Sequence, residues 1–229
     1  MAFQPYVPPE QLVKDRSDYA RKGIARGRSV VAMEYADGIL FLAENPSATL
    51  HKISEIYDRI GFAGVGRYSE FEDLRISGVR LADLRGYSYG REDVTAKTLA
   101  NAYSAALSTI FTTQVKPYEV EILVGQVGER TEENELYRIL FDGSVTDEHG
   151  YVAMGGRSDD LAAQLKEAYR EGLSAEEAIQ AGTGALSKVE EREVPAELLE
   201  AAVLDRTRGR RKFRRLPDDE LSAIVASPK

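Results

Sequence analysis

The sequence predicts a single-domain α+β fold in which two β-sheets lie between pairs of helices. Three observations predict it. Hydrophobic periodicity changes along the chain in the order strands, two helices, strands, two helices, strands. The early strands are apolar on both faces, with Val30, Val31, Ala32 and Met33 followed by Ile39, Leu40, Phe41 and Leu42. Strands of that kind are covered on both sides in a layered fold. No internal repeat or low-complexity linker divides the 229 residues, of which 43% are hydrophobic and 30% charged, so one sizeable core is expected.

Each element follows from local chemistry. Met1 to Pro9 carries Pro5, Pro8 and Pro9 and reads as an extended arm (residues 1–9). Residues 10–229 then form the domain. Its first helix spans Glu10 to Lys22, with Pro9 suited to the first turn and Gly23 able to stop it. That helix is rich in charge, and only Leu12, Val13, Tyr19 and Ala20 give it an apolar side, so a surface or a neighbour suits it better than the core. Ser29–Tyr35 and Ile39–Ala43 are strands joined by Asp37-Gly38, a hairpin signal. Thr49–Ile53 and Ile56–Val65 read as a second strand pair. Helices follow within Tyr68–Arg85 and over Val94–Thr113, where Leu99, Tyr103, Ala106, Leu107, Ile110 and Phe111 recur at helical spacing and Asp93 or Glu92 can cap the start. Pro117 breaks the chain before strands at Tyr118–Val127, at Leu136–Phe141 and from Val145. Ser158 can cap a helix over Asp159–Glu171, and Ser174 with Glu177 forms a capping-box pattern for a helix toward Glu190. Strands at Glu200–Asp205 and Arg211–Leu216 flank a turn near Gly209, and Pro217-Asp218-Asp219 opens a tail helix.

Composition excludes several chemistries. Without cysteine there is no disulfide, thiolate nucleophile or Cys-based zinc site, which fits a reducing cytoplasm. The first thirty residues hold no apolar h-region and no stretch approaches eighteen apolar residues, so neither signal peptide nor membrane span is expected. His51 and His149 have no local partner spacing for a metal or a Ser-His-Asp triad and read as loop or strand-end residues. Gly61, Gly64 and Gly66 have the wrong order for a dinucleotide fingerprint, and Gly182-Thr183-Gly184 lacks P-loop spacing before Ser187-Lys188. No metal or cofactor is expected. Arg206, Arg208, Arg210, Arg211, Lys212, Arg214 and Arg215 form a basic run. It could contact nucleic acid, but with a net charge of −8 a charged hairpin protecting a sheet edge is the better reading.

A series of segments then carries a family resemblance. They are residues 19–27 (Tyr19 to Gly27), Ser29-Val30-Val31-Ala32, Ala43-Glu44-Asn45-Pro46-Ser47, Lys52 to Arg59 and Gly61-Phe62-Ala63. The series continues with Ala100-Asn101-Ala102-Tyr103, Lys116 to Glu121, Tyr137-Arg138, Asp142-Gly143-Ser144 and Met154-Gly155-Gly156. In this order and spacing the chain resembles the α-type subunits of the 20S proteasome, most closely the actinobacterial ones, over nearly its whole length. The resemblance implies a four-layer αββα sandwich of the N-terminal-nucleophile hydrolase type, stacked in seven-membered rings, with two α rings capping two rings of catalytic β subunits. It implies that the first helix contacts α neighbours and the helix at Val94–Thr113 faces the β ring.

A catalytic relative exposes a threonine at the head of the first core strand, served by a lysine and an acidic residue. By the resemblance that head is Arg28 here, the acidic position is Glu44 and the lysine is Lys52. A guanidinium stays charged and cannot attack a carbonyl, so the nucleophile slot is vacant and no catalytic residue is expected. An active hydrolase processed before Ser29 is the alternative, and it would discard the first 28 residues.

In α subunits the lysine lies in a pocket between neighbours and receives the C-terminal carboxylate of a ring-shaped ATPase or other activator. Such tails commonly end in a hydrophobic residue, tyrosine and a last residue. The resemblance therefore assigns Lys52 to the carboxylate, a charge-assisted contact, and Gly27 to a close approach of the tail. Seven arms bearing Phe3, Pro5, Tyr6, Pro8 and Pro9 would converge on the axial pore as a gate, and Tyr19 would brace its open state. The Tyr-Asp-Arg of archaeal gates is not present in that form.

Overall fold

A computed structural model of the chain describes residues 8–226. Phe3, Pro5 and Tyr6 of the expected gate lie outside the described residues. Helix α1 (Pro9–Ile24) starts with Pro9 at its first position, where a missing N–H costs nothing. Gly23 does not stop it. It is buried within the last turn, where a side-chain carbon would come within 2.6 Å of Glu119 Cβ. Only Ala20, Gly23 and Ile24 of α1 are buried, so the helix rests on the body by its C-terminal end while Leu12, Val13 and Tyr19 stay exposed.

Strands β1 (Val30–Tyr35) and β2 (Gly38–Glu44) form the expected hairpin, and every residue in both is buried. The next pair is shifted from its expected place: β3 is Ile53–Tyr57 and β4 is Ile60–Gly66. Thr49–Lys52 stays outside the sheet because side chains bind its backbone donors. Ser47 Oγ accepts from Leu50 N at 3.0 Å, and Glu200 accepts from Lys52 N at 2.9 Å. At the end of β4, Gly66 has φ +109°, and a Cβ there would overlap the backbone of Glu119.

Helices α2 (Tyr68–Ser88) and α3 (Ala96–Thr113) follow. The cap of α3 is Thr95, which accepts from Thr98 N at 3.2 Å; Glu92 and Asp93 are occupied in a 3₁₀ turn. Strands β5 (Val120–Gln126), β6 (Glu135–Ile139), β7 (Val145–Glu148) and β8 (Tyr151–Met154) complete the middle of the chain. Helix α4 (Ser158–Ala168) is shorter than expected and lacks a side-chain cap, with Arg157 rather than Ser158 at the cap position. It ends where Tyr169 turns to an extended conformation and packs its ring on Tyr151, centroids 5.4 Å apart. Helix α5 (Ala175–Val189) has the expected capping box between Ser174 and Glu177. Strands β9 (Leu199–Asp205) and β10 (Phe213–Arg215) and helix α6 (Asp218–Ala226) close the fold.

The strands form two five-stranded sheets, ordered β10-β9-β2-β1-β8 and β3-β4-β5-β6-β7. Ala32, Phe41, Ala63, Val65 and Leu123 pack between the sheets. The other face of the first sheet packs on α4 and α5 through residues such as Met33, Leu42 and Ile179. The other face of the second packs on α2 and α3 through Phe62, Leu74 and Leu107. This is a four-layer αββα sandwich, in which the doubly apolar strands β1 and β2 are covered by the second sheet on one face and by helices on the other.

Candidate functional site

The site lies at the head of β1. Arg28 is the second residue before that strand, and antiparallel pairing sets Glu44, the last residue of β2, beside it. Glu44 N donates to Ser29 O at 3.2 Å. Lys52 comes from the loop before β3 and donates from Nζ to Arg28 O at 2.6 Å. The structure therefore joins the three sequence-predicted residues. An Arg28 guanidinium nitrogen lies 3.3 Å from a Glu44 oxygen, which Arg192 also binds. Glu44 is buried, its second oxygen has no partner, and Arg28 remains half exposed.

The charge of Lys52 is strained by its surroundings. Its ammonium is pulled down from the ordinary 10.5 to about 8, mainly by burial. Glu200 and Glu44 oppose the shift, and the positive charge of Arg28 adds to it.

Several residues that sequence reasoning missed hold this loop. Glu200 on β9 accepts from Lys52 N, from Ile53 N at 3.2 Å and from Asn45 Nδ2 at 2.7 Å, and it pairs with Arg215. His51 Nδ1 is 3.4 Å from the same carboxylate, so this histidine faces the network as well as solvent. Asn45 Nδ2 also donates to Leu50 O at 2.7 Å. Nothing local in the sequence signals these contacts except Asn45 itself, whose side chain suits a turn.

Gly27 lies close to β4. A side-chain carbon there would sit 2.9 Å from Val65 Cγ1 and 3.0 Å from Gly66 N, so the absent side chain lets the α1–β1 connection pack on β4. Ser29 is buried. Pro8 and Pro9 lead into α1, and Tyr19 lies well along that helix, away from the Arg28–Glu44–Lys52 cluster in sequence and contacts. Lys116 Nζ stands 5.8 Å from the centre of the Tyr19 ring, within cation–π reach. Leu12, Arg16, Tyr19, Val115 and Pro117 border a groove of about 380 Å³ beside it.

The basic run is largely neutralised from within. Arg211 binds Glu55 at 2.6 Å, Arg214 binds Glu220 at 2.6 Å, and Arg215 binds Glu200. Arg206 donates to Gly128 O at 2.9 Å, and Lys212 donates to the carbonyls of Arg206 and Arg208. These bonds tie the β9–β10 hairpin across to β3 of the other sheet. Among the described residues, no group of acidic and histidine side chains is arranged to hold a metal ion, and no helix is long and apolar enough to cross a membrane.

An αββα sandwich of this topology is of the N-terminal-nucleophile hydrolase type, and here Arg28, Glu44 and Lys52 meet at the head of its first strand. The family model for the proteasome subunit matches residues 24–203. Similar chains named proteasome subunit alpha come from Kineococcus radiotolerans, 56% identical over 96% of this chain and 97% of that one. Others are from Thermomonospora curvata, 58% identical over 96% of each, and Xylanimonas cellulosilytica, 59% identical over 92% and 91%. The chain belongs to the proteasome subunit family, and its relatives are of the α type.

Proposed function

We propose that the chain builds the outer, seven-membered ring of a 20S core, cuts no peptide bond itself, gates substrate entry and docks the C-terminal tails of an activator. One observation carries this reading: Glu44 and Lys52 are assembled around Arg28, a guanidinium at the position that the family resemblance gives to the nucleophile. A lysine ammonium held at the rim of a partly buried site, beside a slot with no nucleophile, suits a carboxylate that stays. The alternative of a hydrolase released at Ser29 is disfavoured by α1, since removing it would strip Ala20 and Ile24 from the core between the sheets. A nucleic-acid role for the basic run is disfavoured by its internal ion pairs.

In this reading the β subunits supply the threonine nucleophiles, residues 1–9 form the gate with Phe3, Pro5, Tyr6, Pro8 and Pro9, and Tyr19 braces its open state. The ring is a cytoplasmic assembly. The test is degradation of an unfolded protein by the reconstituted core, with and without its ATPase. Deleting residues 1–8 should speed degradation without the ATPase, because only the closed arrangement needs them. Lys52→Ala should keep the closed gate and lose ATPase-dependent degradation. Equal ATPase-delivered degradation by Lys52→Ala and wild type would sink the docking assignment. An unchanged rate after arm deletion would sink the gate.

A further inference from the structure

We propose that Arg28 is a second ligand for the terminal carboxylate of the docked tail, so that the vacated nucleophile position has become half of a two-cation carboxylate clamp. The inference rests on the reading of Lys52 as the tail's receptor and goes beyond it by adding a residue and a geometry.

Charge balance is the first ground. Arg28, Arg192 and Lys52 meet around Glu44, while Glu200 is matched by Arg215. Three cations therefore face one buried carboxylate. Such an excess of like charge is unfavourable in a partly buried place unless an anion joins it. Burial is the main cause of the lowered proton affinity of Lys52, and the Arg28 charge adds to it against the pull of Glu200 and Glu44.

The second ground is the unequal hold of the two guanidiniums on Glu44. Both address the same oxygen, Arg192 in close contact and Arg28 at 3.3 Å. Arg192 can keep Glu44 neutralised alone. Arg28 has half of its side chain exposed and no other side-chain partner among the described residues, so its guanidinium can leave Glu44 at small cost. Its backbone is meanwhile fixed, because its carbonyl accepts from Lys52 Nζ. A carboxylate arriving at Lys52 thus meets the guanidinium of the same residue whose carbonyl holds the ammonium. An arginine fork can take the second carboxylate oxygen, which a single ammonium leaves to water.

The test uses a fluorescein-labelled peptide ending in Leu-Tyr-Ala, made once with a free carboxylate and once as the terminal amide. Binding to the assembled core is read by anisotropy for wild type, Arg28→Gln, Arg28→Lys and Lys52→Ala, each first checked for assembly by size-exclusion chromatography. Arg28→Gln should weaken the acid peptide about tenfold and leave the amide peptide unchanged. Arg28→Lys should recover part of the loss, and a result obtained with that variant stands if Arg28→Gln fails to assemble. An acid peptide bound equally by wild type and Arg28→Gln would overturn the proposal, as would equal weakening of acid and amide, which marks a merely structural role. Loss in Lys52→Ala with Arg28→Gln silent overturns the Arg28 proposal alone. Loss in Arg28→Gln with Lys52→Ala silent overturns the Lys52 reading alone. An acid peptide that wild type does not bind overturns both.

Discussion

Docking through Lys52 should depend on pH in a window set by its surroundings. The free ammonium titrates at about 8, because burial and Arg28 disfavour its charge more than Glu200 and Glu44 favour it. Charged or titratable groups around it also include Arg192 on Glu44, and Arg215 and His51 on Glu200. A bound carboxylate favours the charged form and raises the pKa of the complex. Binding therefore takes up a proton once the pH exceeds about 8, and affinity falls as pH rises. At pH 7 nearly all of Lys52 is already protonated and the penalty is negligible. At pH 9 only about one site in ten is protonated, so affinity should drop about tenfold, or ~1.4 kcal/mol. The assay is anisotropy of the same tail peptide on the assembled core at pH 7, 8 and 9, at constant ionic strength so that screening does not change. Lys52→Arg keeps its charge throughout and should bind with a flat profile. A flat wild-type profile would refute the reasoning. So would an equal fall in Lys52→Arg, which would assign the proton to another group. The sign for folding is opposite to a salt-bridge lysine: with the folded pKa below the unfolded one, Lys52 opposes stability below pH 8, and that cost is relieved between pH 8 and 10.5.

Two further expectations concern the frame of the site. Glu200→Ala removes the acceptor for Lys52 N, Ile53 N and Asn45 Nδ2 and strands Arg215, so it should cost about 3–5 kcal/mol, the usual loss on breaking a buried pair. Urea unfolding of the purified chain measures this, and a loss below ~1 kcal/mol would mean that the loop holds Lys52 without Glu200. Gly66→Ala combines a left-handed φ with a clash on the Glu119 backbone, and it should cost at least ~1–3 kcal/mol in the same measurement. An unchanged urea midpoint there would show that β4 can end in another conformation.

The layers were legible because the physics behind them is local or periodic. Doubly apolar β1 and β2, the Asp37-Gly38 turn and the Ser174–Glu177 box each act within a few residues, and each is found where expected. Errors arose where distant groups decided. Thr49–Lys52 looks like a strand, yet Glu200, 148 residues away, takes a backbone donor from it. Gly23 looks like a helix stop until Glu119 is packed against it. Arg28, Glu44 and Lys52 were found through family resemblance, since no spacing between them signals a site. Arg192 and Glu200 had no signal, because an arginine or glutamate in a charged stretch gives no hint of a partner on another strand.

On the proposed reading, the cluster at the head of β1 also accounts for a lysine and an acid beside a position without a nucleophile. In a hydrolase the lysine must exchange a proton with a hydroxyl and then be restored, which needs a pKa near the working pH. Burial gives Lys52 such a value here, but the neighbouring side chain is a cation that can accept no proton. Glu44, which would orient the lysine, is instead shared by two guanidiniums. The same backbone frame therefore holds a set of charges that cannot pass a proton to a nucleophile and can hold an anion. On the proposed reading, a guanidinium in place of a hydroxyl would be enough for that change: it would remove the attacking atom and add a second positive charge for a terminal carboxylate.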